Sequence, residues 1–243
     1  MALDILITVV ATSFIQSIFG VGVLLFGTPL LLLQGYDFVQ AVIVLLPISV
    51  SINLIQIAKD YRCVDVGFYK RILIYTIPFV VLFLFVVTKF KINIGIIIGL
   101  FMLFVAAKDY SPKVNKAVKF LVRYEKPYLI IMGIIHGLTN LGGSLLTAIV
   151  HSKEYDKNIT RGTVAISYAT FAVFQILTLM GSGYSFTSKL SEISIYLVIS
   201  IAIFLFTEKL IYVDIKNDSY TKYFAGFLFI SGLLLCIRSL SAS

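Results

Sequence analysis

The sequence predicts an all-α integral membrane protein made of two inverted repeats, each a broken or re-entrant helix followed by three transmembrane helices. Three observations carry this. Hydrophobic residues fill 59% of the 243 positions and charged residues only 13%, too little charge to cover a soluble domain of this length. Eight stretches contain no Asp, Glu, Lys or Arg: Ile5–Tyr36, Phe38–Ala58, Ile72–Thr88, Ile92–Ala107, Pro127–Ser152, Gly162–Ser188, Ile193–Thr207 and Tyr223–Ile237. These divide four and four around the most basic segment of the chain, which holds Lys108, Lys113, Lys116, Lys119, Arg123 and Lys126.

Each run is continuously apolar, which suits a membrane-spanning helix and not a barrel strand, where lipid-facing and lumen-facing residues alternate. The shorter runs are completed by flanks such as Lys222 and Arg238, whose stems lie along apolar surface while the charge reaches water. The amino terminus, Met1-Ala2-Leu3-Asp4, has no positive region, so the first run is expected to be retained and not cleaved as a signal. It is also anomalous in length. Ile5–Tyr36 would span roughly 48 Å as one helix, against a hydrocarbon core of about 30 Å, and Gly20, Gly22, Gly27 and Pro29 interrupt its middle. The fifth run, Pro127–Ser152, carries Gly133, Gly137, Gly142 and Gly143. Each therefore reads as two half-helices joined by unwound backbone, either in line or folded back. At an offset of 120, Ile15–Gly22 lies over Ile135–Gly142, a weak likeness of the kind internal duplication leaves in secondary transporters.

Loop charge bears on the two shapes. Eight simple spans in parallel repeats would place 12 of the 20 Lys and Arg residues inside and 8 outside; a re-entrant fifth run changes this to 16 and 4. The positive-inside rule favours the second count. Three spans plus a hairpin is an odd number of crossings, which inverts the second repeat. The expected organisation is a first repeat over residues 1–110, a basic cytoplasmic linker over 111–126 and a second repeat over 127–243 in a multi-pass protein of the cell (inner) membrane.

The formal charge of +8 resides in these short loops, where it orients helices, so nucleic acid is not an expected partner. Cys63 and Cys236 have no motif partner and imply neither disulfide nor metal. His-Glu-x-x-His, Cys-x-x-Cys, Gly-x-x-x-x-Gly-Lys and Gly-x-Ser-x-Gly are all missing, so neither an enzyme nor a cofactor is expected. No carboxylate lies inside an apolar run, which disfavours a cation carrier. What remains is polar and uncharged. Gly20, Gly22 and Thr28 lie at the first break, and Thr139, Asn140, Gly142, Gly143 and Ser144 at the second, with Ser144 placed to cap the following half-helix. A half-helix starting at mid-membrane presents unpaired N–H groups and a positive dipole end, which attract an anion without fixed charge; close helix packing is the competing use of such glycines. His136 is titratable inside a run, and Gln16 occupies its position in the first half. Asn53 shares a face with Ser49 and Gln56, and Thr163 and Ser167 with Thr170; these faces either line a path or join helices. The expected substrate-binding set is thus Gln16, Gly20, Gly22, Thr28, Asn53, His136, Thr139, Asn140, Gly142, Gly143, Ser144, Thr163 and Ser167. The expected partners are a small anion and membrane lipid, with a homodimer left open.

At the breaks the chain resembles the TauE/SafE family of sulfite and organosulfonate exporters. The first reads Phe19-Gly20-Val21-Gly22-Val23-Leu24-Leu25-Phe26-Gly27-Thr28-Pro29, where the family has Gly-x-Gly-Gly-Gly and then proline. The second reads His136-Gly137-Leu138-Thr139-Asn140-Leu141-Gly142-Gly143-Ser144, where it has Gly-x-Gly-Gly-Pro. Val23 and Leu24 replace family glycines, Asn140 stands where a glycine is usual and Ser144 replaces proline. The resemblance covers nearly the whole chain. It implies a secondary transporter that exports sulfite, a sulfonate or another small organic acid by alternating access. An anion channel, or a membrane redox or assembly subunit, is the rival reading.

Overall fold

The computed structural model describes residues 2–90, 93–111, 116, 120–186, 190–211 and 217–241, and every regular element among them is helical. Much of the basic linker, 112–115 and 117–119, lies outside the described residues. The first run forms α1 (Leu3–Phe19) and α2 (Val23–Gln34). Then come α3 (Phe38–Asp60), α4 (Val66–Tyr75), α5 (Ile77–Lys89) and α6 (Ile94–Tyr110). The fifth run forms α7 (Glu125–Thr139) and α8 (Gly143–His151), followed by α9 (Lys157–Gly181), α10 (Leu190–Ile211) and α11 (Asn217–Ser241). Helix α7 starts two residues earlier than the expected repeat boundary at 127.

Among the described residues, four segments are long and apolar enough to cross a membrane: Phe38–Lys59, Val66–Lys89, Lys157–Gly181 and Leu190–Lys209. Polar residues start several helices. Asp65 accepts from Phe68 N at 2.9 Å, Asn93 from Ile96 N, and Asp156 from Asn158 N and Ile159 N, so otherwise unpaired first-turn donors are satisfied. The second crossing is divided at Thr76, because Pro78 cannot donate to the preceding turn.

Both broken runs fold back as hairpins. In the first, the start of α1 meets the end of α2: Thr8 and Gln34 side chains bond at 2.9 Å, and the Tyr36 hydroxyl donates to Asp4 at 2.8 Å. In the second, Tyr128 donates to the Leu145 carbonyl at 2.8 Å and Lys153 to Glu125 at 2.7 Å. The two breaks share one device. Gly20 (φ 74°) and Asn140 (φ 64°) end α1 and α7 in the left-handed region and donate to the carbonyls of Gln16 and His136, each at 2.8 Å. Asparagine tolerates this conformation better than most residues, so Asn140 does the work of glycine there.

Packing pairs corresponding elements of the two halves. Helix α3 packs on α9 and α6 on α11, while α1 packs on α10 as α7 packs on α5. The α6–α11 approach is close enough that a side chain on Gly99 would meet the Gly232 carbonyl at 2.8 Å. A set of polar residues lies within the mostly apolar interior, and the outer surface is apolar as well. Thr12, Gln16, Thr28, Asn53, His136, Asn140 and Gln175 are buried, whereas Leu82, Phe85, Leu100, Phe104, Val198 and Phe206 face outward, as expected where lipid is the outer solvent.

Candidate functional site

The tip of the second hairpin meets the middle of α2 in the interior; Gly27, Thr28 and Pro29, expected at the interruption of the first run, lie inside that continuous helix, and the break is confined to Gly20–Gly22. Asn140 Nδ2 donates to Thr28 Oγ1 at 2.8 Å, joining the second hairpin to the first across 112 residues of sequence. Asn140 Oδ1 accepts from Gln175 Nε2 at 3.2 Å, and Gln175 Oε1 lies 3.2 Å from His136 Nε2. Thr28, His136, Asn140 and Gln175 are all fully buried. His136 stacks on Phe171 with ring centroids 4.7 Å apart and meets Tyr168 edge-on at 6.4 Å. In the first half, Gln16 Oε1 accepts from Val23 N at 2.9 Å, while Gln16 Nε2 reaches Asn53 Oδ1 at 3.4 Å; Asn53 in turn donates to the Ser49 carbonyl at 2.7 Å.

The glycines let the half-helices press together. A Cβ on Gly22 would lie 2.7 Å from Gln16 N, one on Gly142 would lie 3.0 Å from His136 Nδ1, and one on Gly143 would coincide with the Tyr168 hydroxyl. Thr139 closes the second tip by accepting from Leu141 N at 3.1 Å and donating to the Ile135 carbonyl at 2.6 Å. Gly142, not Ser144, occupies the N-cap of α8; the Ser144 hydroxyl donates to the Leu141 carbonyl at 3.0 Å. In this conformation tip N–H groups are met internally: Val23 by Gln16, Leu141 by Thr139, Ser144 by Leu141 and Leu145 by Gly142. Non-helical backbone away from water demands such partners.

Gln16, Gly20, Gly22, Thr28 and Asn53 thus belong to the first tip and its supports, and His136, Thr139, Asn140, Gly142, Gly143 and Ser144 to the second. Thr163 and Ser167 are placed elsewhere. Thr163 Oγ1 accepts from Asp65 N at 3.0 Å in the α3–α4 connection, and Ser167 donates to the Thr163 carbonyl at 2.6 Å. Gln175, which links His136 to Asn140, carries more of the site than its isolated position on α9 suggests.

Two carboxylates close the face opposite the Ala2 end. Glu208, 8% exposed, pairs with Lys59 from α3 and Arg161 from α9. Glu125 pairs with Arg71 from α4 and, at 2.7 Å, with Lys153 after α8. Both clusters tie elements of the first half to elements of the second. Sequence reading misses Glu208 because it lies one residue beyond the run ending at Thr207; the signal is an acid placed level with the basic ends of other runs. Beside Glu125, the Asp65 carboxyl accepts from the Tyr155 hydroxyl. Burial pushes that carboxyl up, but Tyr155, the Phe68 N–H and the charges of Arg71 and Lys153 outweigh it and hold it below its ordinary 3.8. Tyr155 is raised, by burial first and then by Asp65.

None of the curated proteins and none of the solved structures compared with the chain matches it. The family model described as "Sulfite exporter TauE/SafE" matches residues 5–235. With nearly its whole length matched, its two broken runs meeting in an apolar helical body, the chain belongs to the TauE/SafE sulfite exporter family of membrane transporters.

Proposed function

We propose that this protein exports a small anion such as sulfite, a sulfonate or another small organic acid, and that it does so by alternating access between two inverted repeats, 1–110 and 127–243. The carrying observation is the Asn140–Thr28 bond: two broken helices from different halves meet at a buried, uncharged, hydrogen-bonding node. The second arm of each hairpin is the shorter: α2, 12 residues, reaches about 18 Å and α8, 9 residues, about 14 Å, against about 26 Å for α1 and about 23 Å for α7, lengths that fit hairpins turning back within a bilayer core of about 30 Å.

The inversion is supported by which ends share a face. Ala2 bonds Tyr196, Thr88 bonds Ser182 and Asn93 bonds Ser239 at one end. At the other, Lys59, Arg71, Glu125, Lys153, Arg161 and Glu208 are interlocked. The first hairpin opens to the first of these faces and the second to the other. The second face carries the basic loops and is the cytoplasmic one under the positive-inside rule. Rocking of the halves around the tips would break the Glu125 and Glu208 clusters when the cytoplasmic side opens. An inside-negative potential supplies about 2.3 kcal/mol per charge per 100 mV for outward anion movement, so no coupled ion is needed.

Purified protein in proteoliposomes tests this. Unlabelled sulfite or sulfonate on one side is expected to accelerate exchange of labelled anion from the other, and Asn140→Leu is expected to abolish it. Ohmic unitary currents with no counterflow would make the protein a channel and overturn the carrier reading.

A further inference from the structure

We infer that the ligand of the tip site is a singly charged anion that brings a hydrogen-bond donor of its own, and that His136 Nδ1 receives that donor. This deepens the anion reading and rests on it. The polar chain has a direction. Asn140 Nδ2 gives its proton to Thr28, Gln175 Nε2 gives its proton to Asn140 Oδ1, and Gln175 therefore turns Oε1 towards His136 Nε2. An amide oxygen only accepts, so the imidazole proton resides on Nε2 and Nδ1 presents a bare lone pair. Nδ1 is buried and has no hydrogen-bond partner. It faces the N-cap of α8, lying 3.0 Å from where a Cβ on Gly142 would stand.

In the first half Gln56 Oε1 is also buried without a partner, but it is Gln56 Nε2 that lies 3.8 Å from the Cβ position of Gly20, so the orphaned acceptor placed at a break is His136 Nδ1. An orphaned acceptor beside the α8 start fits no aprotic anion, which would set lone pair against lone pair. It fits a protonated oxyanion, or a sulfonate or carboxylate bearing a hydroxyl or ammonium group. The negative end then faces the N–H groups of the α8 start, and the donor faces His136. Charge is limited by the same residues. Gln16, Thr28, Asn53, Gln56, Asn140 and Gln175 are all neutral, and the desolvation cost of an ion rises with the square of its charge, to about four times as much for a dianion.

The test has two arms. In His151→Gln protein, which leaves one histidine, nitrogen-15 NMR of the imidazole is expected to show Nε2 protonated and Nδ1 unprotonated; a protonated Nδ1 in the neutral ring overturns the inference. Calorimetry then compares 2-hydroxyethanesulfonate with ethanesulfonate, glycolate with acetate, and each with 1,2-ethanedisulfonate. The hydroxyl member of each pair is expected to bind about tenfold tighter, the return on satisfying a buried acceptor. The disulfonate is expected to bind weakest, and His136→Phe to erase the tenfold preference. Equal binding within the pairs refutes this inference and leaves the anion reading standing. Binding by none of the five, nor by sulfite, refutes the anion reading, and this inference with it.

Discussion

Gly22→Ala tests the first hairpin at its narrowest point. The added methyl carbon would stand 2.7 Å from Gln16 N and 2.8 Å from the Thr12 carbonyl, where carbon and its neighbours prefer about 3.5–4.0 Å. Both obstacles are backbone, so no rotamer change relieves the clash. The start of α2 must retreat from α1 by roughly 0.8 Å. That movement carries the Gln16 Oε1–Val23 N bond from 2.9 Å to beyond about 3.5 Å, where little of it survives. Overpacking contributes about 1–3 kcal/mol and the weakened bond about 1 kcal/mol, for a total loss of about 2–4 kcal/mol. In detergent, thermal unfolding followed by fluorescence should fall by about 4–16 °C, at about 2–4 °C per kcal/mol for a chain of this size. Two controls separate causes. Gly20→Ala meets its nearest atom at 3.8 Å but sits at φ 74°, so it should lose only the left-handed strain of about 1–2 kcal/mol. Gly226→Ala meets nothing within 4 Å and should not lower the midpoint. A Gly22→Ala protein as stable as Gly226→Ala would refute the close hairpin and the Gln16 bond built on it.

Other substitutions probe the remaining parts. Glu208→Ala leaves the half-exposed Lys59 and the more buried Arg161 without their shared carboxylate and should cost about 1–3 kcal/mol in thermal unfolding; a neutral result would refute the pairing. Gln175→Leu strands His136 Nε2 and Asn140 Oδ1 together and should cost about 2–4 kcal/mol as well as transport, whereas Thr170→Val, earlier on the same helix and bonded to Tyr69, should keep the tip network intact. Asp65 has a depressed carboxyl, so the stability it lends is complete above its unfolded value of 3.8 and is lost as pH falls through its lower native value. The midpoint gap between wild type and Asp65→Asn should therefore be constant above pH 3.8 and narrow below it. A cysteine replacing Lys157 should resist a membrane-impermeant thiol reagent added outside intact cells; labelling there would overturn the inverted arrangement.

The membrane class and the two interrupted runs were legible because they depend on local composition: Gly20 and Asn140 sit at the breaks, and the uncharged runs surround them. Ser144 misled for a local reason too. A serine at a helix start suggests a cap, but Thr139 already covers the neighbouring N–H and Gly142 leaves room for His136, so the serine is one residue too late. The division at Thr76 was missed in the run Ile72–Thr88, although Pro78 offers the local signal for it. Gln175 was legible only as a lesser polar candidate within its run, and Glu208 was not read at all. Gln175 matters because α9 brings it against α7, and Glu208 because Lys59 and Arg161 arrive from helices 149 and 47 residues away in sequence. Such meetings are set by tertiary packing, which no spacing within one segment records.

The bond between Asn140 and Thr28 also governs how the protein can be made. A ribosome adding about 5–20 residues per second delivers Asn140 roughly 6–22 s after Thr28. Through that interval the nascent first half holds Thr28, a polar group destined for the dry interior, with its future partner still unsynthesised. The first hairpin can close on its own through Gln16–Val23 and Thr8–Gln34, but the burial of Thr28 is completed only when the second hairpin arrives. The two halves, produced as separate polypeptides, should be cleared by membrane quality control when alone and rescue one another when expressed together.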